Sequence, residues 1–366
     1  MDISIEVNQI KKYFFQTSIK DNEINEDNEA NEDNEKKYIS KICVNNFFSV
    51  NEVNICEIIS KLPYYSNYYY ILCDFHYISL GELTEKVIKK LDLDDISNEE
   101  KYLLFNYKNI NYIKLNDFLF HLSTPKIFIL NVLESYSYLL QSLIKLNKNK
   151  ICYFNLSTEN IIFTIKNGQK PILTNFQKSI DIQKLNCNYI SEIIKETYDY
   201  TYKPIEVHVL FYLIHNELNT ISYSLIEEIT ETYVKNLHIL TFFSQKYQQD
   251  YKLLCIKTLE KYVNRSKIEI ISDIIERKST WDNYSLSLLY FHILCSISRV
   301  FLLKGTFLSK LTVELSKNIC PDSSKRESLE NTLQMYENLY SSFNDWSFIN
   351  KISSEKMNKL FQVLLE

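Results

Sequence analysis

The sequence predicts an α+β fold with a small β-rich N-terminal part and a larger, mainly helical C-terminal part. Three observations carry this. Runs of β-branched and aromatic residues crowd the first hundred positions, and apolar residues at helical spacing dominate from about Tyr107 onward. The 366-residue chain also holds only three glycines and five prolines. So few turn formers disfavour an all-β fold, which needs a reversal after every short strand. The expected division is 1–106 and 107–366.

In the first part "ISIEV", "KKYFFQTSI" and "KYISKICV" read as strands. Between the last two, DNEINEDNEANEDNE at 21–35 holds eight carboxylates and no basic side chain. With almost nothing apolar to offset chain entropy, 21–36 is expected to be a disordered, solvated insert. Ser49 is placed to cap a helix carrying Val53, Cys56, Ile59 and Leu62, which stops near Pro63. "YYYILCDF" and "KYLLFNY" read as two more strands. The tyrosines of YYSNYYY (64–70) lack interleaved Lys or Arg, so they are expected to pack in a core and not to stack on bases.

In the second part, Phe128 to Leu146 shows a broad apolar face with helical period. The stretch ICYFNLSTENIIFTIKNGQKPILTNFQKSI (151–180) reads as strand, polar loop, strand, turn and strand, with Asn167-Gly168 as the hairpin signal. Helical patterns follow near 207–217, 222–240, 250–263, 267–277, 281–303, 306–318 and 325–340.

Charge and cysteine usage narrow the function. The net charge is −5, with the insert's eight carboxylates included, so the remainder carries only a slight positive balance. That excludes an electrostatic case for nucleic acid. The eight cysteines stand singly, with no C-x-x-C pair, and are expected to be buried free thiols in a reducing compartment. His208 and His215 lie seven apart on a helical pattern without a third ligand, which suits ordinary histidines better than a metal site. The N-terminus MDISIEVNQIKK is too acidic and polar for a secretory signal. The run Leu286–Leu303 is broken by His292 and Arg299, and a span needs about 20 nearly uninterrupted apolar residues. A buried core helix is expected there, hence no membrane and an intracellular, cytoplasmic protein.

The loop "YFNLSTEN" stands where protein kinases carry H-R-D-L-x-x-x-x-N, and "TNFQ" where they carry D-F-G with one preceding residue. With the element order, this resembles the two-lobed eukaryotic-type protein kinase fold over most of the chain. The resemblance implies several roles. "YISK" is similar to the V-A-I-K strand, making Lys41 the phosphate-pairing lysine, with Glu52 as its helix partner and Glu57 as the competitor. "KYLLFNYKN" resembles the strand entering the hinge, near Asn106 and Tyr107. Asn160 matches the metal-binding asparagine and Phe176 the phenylalanine of D-F-G. "YKPIE" resembles the A-P-E element and places Glu206 in its acid position. "STWDNYSLSLLYFHIL" is similar to the helix whose aspartate, here Asp282, bonds the catalytic-loop backbone. "CPDSSKRESLENTL" supplies Arg326 as the ion-pair partner of Glu206. More residues separate Glu206 from Asp282 than in the family pattern, so 207–280 is expected to be a helical insertion. With the composition, the chain resembles the divergent kinase-like proteins of large DNA viruses, which implies host-cell cytoplasm or virion as its place.

The chemical positions depart from the pattern. Asn155 occupies the base position and Asn175 the magnesium position, while Tyr153, Phe154 and Ser157 replace the His-Arg pair and a lysine. No glycine precedes Gly81, so a glycine-rich phosphate loop is missing. A carboxamide does not take up a proton at neutral pH, and it offers magnesium no anionic oxygen. The resemblance implies ATP and magnesium as ligands, and these substitutions weaken both. The leading expectation is a pseudokinase, a binding or regulatory module for protein partners. One alternative is a divergent active Ser/Thr kinase, with Thr197, Tyr198, Tyr200 and Thr201 as its own phosphorylation sites. A second is a helical interaction scaffold. For Lys41 and Asn160 the plainer alternatives are an exposed strand lysine and an asparagine that caps loop backbone.

Overall fold

The computed structural model describes the strands at 6–7, 10–11 and 13–15 and residues 38–79, 102–120, 124–164, 170–195, 201–343 and 355–365. The acidic insert, Gly81, Asn167-Gly168 and Thr197, Tyr198 and Tyr200 lie outside the described residues. The fold is mixed α+β, with helices predominating and small antiparallel sheets. Two compact units emerge. The first comprises Met1–Tyr112 and Thr174–Gln177, the second Ile113–Leu173 and Lys178–Glu366.

In the first unit β1 (Glu6–Val7) pairs with β2 (Ile10–Lys11). The main sheet is built from β3 (Tyr13–Phe15), β4 (Tyr38–Val44), β5 (Leu72–Ile78) and β6 (Tyr102–Lys108) in the order β3-β4-β6-β5. β6, YLLFNYK, is buried over almost its whole length and lies inside the sheet, with β4 and β5 on its two edges. Its register sets Lys41 opposite Phe105 and Ser40 opposite Asn106, and the Ser40 hydroxyl donates to Asn106 Oδ1 at 2.6 Å. The helix α1 (Phe47–Ser60) follows β4. Its N-cap is Asn46 and not Ser49: Asn46 Oδ1 accepts from the Phe48 and Ser49 amides at 3.0 Å, and Ser49 Oγ accepts back from the Asn46 amide at 3.0 Å. Asn46 and Ser49 thus form a reciprocal capping box with serine at the third helical position. The tyrosine stretch is not the core element its composition suggests. Tyr64 is exposed, Tyr69 alone is fully buried, and Tyr70 stacks on Tyr107.

The second unit begins around β7 (Tyr112–Lys114) and α2 (Leu115–Phe120) and continues into α3 (Pro125–Lys148). Pro125 starts α3 where its missing N–H costs nothing, and Lys145 and Lys148 complement the dipole at its end. Next come β8 (Ile151–Cys152), β9 (Ile161–Thr164), β10 (Pro171–Leu173) and β11 (Ile180–Asp181). β9 and β10 pair antiparallel, Ile162 opposite Ile172, and β8 pairs with β11. The rest is helical: α4 (Cys187–Lys195), α5 (Ile205–His215), α6 (Tyr223–Asn236), α7 (Gln245–Leu259), α8 (Lys267–Glu276), α9 (Trp281–Val300), α10 (Phe307–Asn318), α11 (Leu329–Ser342) and α12 (Glu355–Leu365). α2, α4 and α12 lie outside the helical patterns expected above, although α4 buries Ile190, Ile193 and Ile194 and α12 buries Met357 and Leu360 at helical spacing.

α9 is the centre of this unit. Residues 281–291 are all buried, and α3, α10 and α12 pack around the helix. Two of its polar residues are satisfied within the core: Asn283 Nδ2 donates to Thr332 Oγ1 at 2.8 Å, and Ser287 Oγ accepts from Asn318 Nδ2 at 3.1 Å. Among the described residues one helix, α3, is long and apolar enough to cross a membrane, and most of its apolar stretch is buried in the protein. The eight cysteines are free, five of them buried, with Cys73 exposed and Cys187 and Cys320 half-buried.

Asn46→Ala is expected to cost about 1 kcal/mol, the usual value of a side-chain N-cap. Urea unfolding checks this, with exposed Glu57→Ala as a control that leaves stability unchanged.

Candidate functional site

The loop that follows β8 is shaped by three side chains far away in sequence. Asp282, at the start of α9, accepts from the Tyr153 amide at 2.7 Å and the Phe154 amide at 2.8 Å, one to each carboxylate oxygen. The Lys203 ammonium donates to the Phe154 carbonyl and lies 4.3 Å from the centre of the Phe154 ring. Ser179 Oγ donates to the Tyr153 carbonyl at 2.9 Å. These fix Phe154 at φ +55°, a left-handed conformation unusual for a bulky residue. Its ring turns inward, 1% exposed, against the Trp281 ring at 5.4 Å.

Beyond this anchor, Asn155 is half-buried, and a 3₁₀ turn at Thr158–Asn160 ends the loop. Asn160 Nδ2 donates to the Asn155 carbonyl at 2.8 Å, so Asn160 does cap loop backbone. Glu159 of the turn pairs with Lys114 on β7. Phe118 of α2 stacks on Phe163 of β9, closing the apolar side.

The segment that enters α5 is tied down equally firmly. Ser285 Oγ donates to the Tyr202 carbonyl at 2.7 Å. Glu206, in the first turn of α5, meets Arg326 in a two-pronged pair of 2.6 and 2.9 Å. Arg326 also donates to the Cys320 carbonyl at 2.7 Å, the Pro321 carbonyl at 3.0 Å and Thr280 Oγ1 at 3.4 Å. All five of its N–H groups therefore have acceptors, and its side chain is fully buried. Burial alone would lower the Arg326 pKa, but the Glu206 charge and hydrogen bonds more than reverse that and raise it.

In the first unit Lys41 is 6% exposed and Glu52 3% exposed. Lys41 is therefore a buried lysine, not an exposed strand lysine. Glu57 faces outward, which leaves Glu52 as the buried acid of α1. Glu52 Oε1 accepts from the Tyr107 hydroxyl at 3.1 Å. Burial first, then the Glu52 charge, raises the Tyr107 phenol well above its usual pKa, so it stays a donor. The segment Thr174–Gln177 belongs to this unit. Phe176 is fully buried, edge-on to Tyr69 at 6.0 Å, and Asn51 Nδ2 of α1 donates to the Gln177 carbonyl at 2.9 Å. Asn175 sits at φ +59°. Gln177, in the glycine position of the D-F-G resemblance, is 5% exposed.

The positions that the resemblance assigns to base and metal carry no carboxylate. Asn155, Asn160 and Asn175 are all carboxamides, and Asn160 donates to loop backbone through Nδ2. Magnesium beside a nucleotide is usually held by one or two protein carboxylates as well as by phosphate oxygens, and none of the three supplies a carboxylate. No group of three or more His, Cys, Asp or Glu able to hold a metal occurs among the described residues. His215 Nε2 lies 3.1 Å from the Ile194 carbonyl, and His208 packs edge-on to Tyr233. Lys203 was not singled out from the sequence, because a lysine beside a proline in a polar stretch reads as solvated. Neither a family model nor a curated protein matches this sequence.

Removing one partner of a buried ion pair costs about 3–5 kcal/mol. Arg326→Met is expected to fall in that range by urea unfolding, and Glu206→Leu combined with Arg326→Met to cost less than Arg326→Met alone. For Asp282 the sign differs from the common carboxylate case. Burial raises its pKa, and the two amides and Lys203 only partly offset this. A native pKa above the unfolded value of about 3.9 means that stability from this group falls as pH rises through that window. Against Asp282→Asn, the native chain's relative stability should decline from about pH 4 up to the raised value and then level off. A flat difference would contradict the assignment.

Proposed function

We propose that this chain is a kinase-shaped binding or regulatory module that does not transfer phosphate, with a protein as its partner. The observation that carries the reading is a contrast within one loop. Its backbone is held by Asp282, Lys203, Ser179 and Asn160, yet the side chains at its chemical positions are carboxamides and buried aromatics. Phosphoryl transfer depends on positioned metal and an oriented nucleophile, and Asn155 and Asn175 supply neither charge nor proton acceptor. A loop kept in shape without those groups is suited to presenting a fixed surface. The Glu206–Arg326 pair and the buried Lys41 and Glu52 support the same reading, since they keep the framework of the resemblance after the acids are gone.

Thermal unfolding with ATP, with and without magnesium or manganese, tests this. A ligand at about 100 times its dissociation constant adds roughly 2.7 kcal/mol, an easily measured shift. The expected result is no metal-dependent shift and no phosphate on the chain by mass spectrometry. A metal-dependent shift accompanied by phosphate transfer that Lys41→Met abolishes would overturn the proposal in favour of an active kinase.

A further inference from the structure

A groove of about 550 Å³ runs between α3 and α11 on the second unit, and Lys170 and Pro171 at the start of β10 also line it. Leu130, Glu134, Tyr138 and Gln141 line it from α3 at spacings of four, four and three, so one helix face forms the wall. Tyr336, Glu337 and Tyr340 form the facing wall. The floor is fixed, because the Tyr336 hydroxyl donates to the Leu133 carbonyl at 3.0 Å. Its size is that of ordinary ligand sites, which fill about 300–1,000 Å³.

The chemistry of the walls selects a cation. Glu134 and Glu337 are exposed and stand in no ion pair among the described residues. Beside them Tyr336 and Tyr340 stack at 6.1 Å, and Tyr340 remains 45% exposed. Carboxylates next to aromatic faces favour ammonium or guanidinium groups and repel phosphate. The groove already holds one cation in this way: the Lys170 ammonium lies 5.3 Å from the centre of the Tyr138 ring. Leu130, half-buried, adds apolar surface between the charged rims, while Leu133 and Pro171 are buried.

We infer that this groove docks an extended segment of a partner protein in which arginine or lysine alternates with apolar side chains. Basic side chains meet Glu134, Glu337 and the face of Tyr340, while apolar ones meet Leu130. The inference uses none of the groups at the kinase-like positions, so it stands or falls independently of the proposed function.

Fluorescence anisotropy of the full chain with a labelled Leu-Arg-Leu-Arg-Leu-Arg peptide amide tests it. The peptide should bind, and the same peptide with Glu in place of Arg should not. Glu134→Gln combined with Glu337→Gln should weaken binding about tenfold, the scale of two exposed ion pairs lost together. Tyr340→Ala should weaken it as well, and both variants change exposed side chains. The acidic insert is a rival cation binder, so a chain with the carboxylates of 21–35 converted to amides should bind unchanged. Equal binding by the double variant, or binding lost with the insert's carboxylates, would overturn the inference. So would self-association of the chain that the double variant abolishes, since the occupant would then be a second copy.

Discussion

The second unit depends on one buried contact, the Arg326 guanidinium gripping Glu206. A guanidinium can be buried without great penalty only when every N–H finds an acceptor in the right plane. Here those acceptors come from α5, from the turn before α9 and from the chain between α10 and α11. Satisfying one side chain therefore fixes three backbone segments together. Its guanidinium also lies 4.9 Å from the centre of the Tyr284 ring, which carries the restraint into α9. From the same end of α9, Asp282 reaches the loop after β8, so the ion pair and the loop anchor share one rigid base.

Much of this was legible in the sequence. Glu206, Asp282 and Arg326 are charges that could each stand alone on a surface, and only their order around the kinase-like loop, through the resemblance, implied partners for them. The long helices were legible because α3 and α9 bury broad faces, and the β9–β10 pairing followed from two β-branched runs. The misses have physical reasons too. Asn46 and Ser49 are both good cap residues, and only backbone geometry tells which stands outside the helix. α2 spans only six residues, too few turns for a period, whereas α4 and α12 carry buried residues at helical spacing and were legible in principle. The tyrosines of 64–70 resemble core by composition but line a surface turn. Lys203 could not be placed because its partners are a backbone carbonyl and a ring, neither of which leaves a mark in sequence. The groove between α3 and α11 was equally invisible, being a property of two faces about 200 residues apart in the chain, like the Tyr336–Leu133 bond that floors it.

The asparagines at the chemical positions gain meaning from their surroundings. A carboxamide is nearly the same shape as a carboxylate, so Asn155 and Asn175 change charge while leaving volume almost untouched. On the loop side the framework needs no negative charge at Asn155, because Asp282 and Lys203 already hold the backbone. On the first unit, Gln177 adds a buried side chain where a glycine would leave freedom, and Asn51 holds its carbonyl.

The separation of Glu206 and Arg326 by 120 residues also bears on how the chain is made. During synthesis Glu206 leaves the ribosome long before its partner exists, and it cannot enter an apolar core alone. Asp282 emerges in between and can take up the Tyr153 and Phe154 amides at once, but α9 has no cover until α10 and α11 follow. Docking of this unit is thereby deferred to a late stage, with exposed apolar helices waiting meanwhile. A chain cut short before Arg326 would keep its helical segments and lack the closing contact, which makes it a natural client for chaperones and proteases.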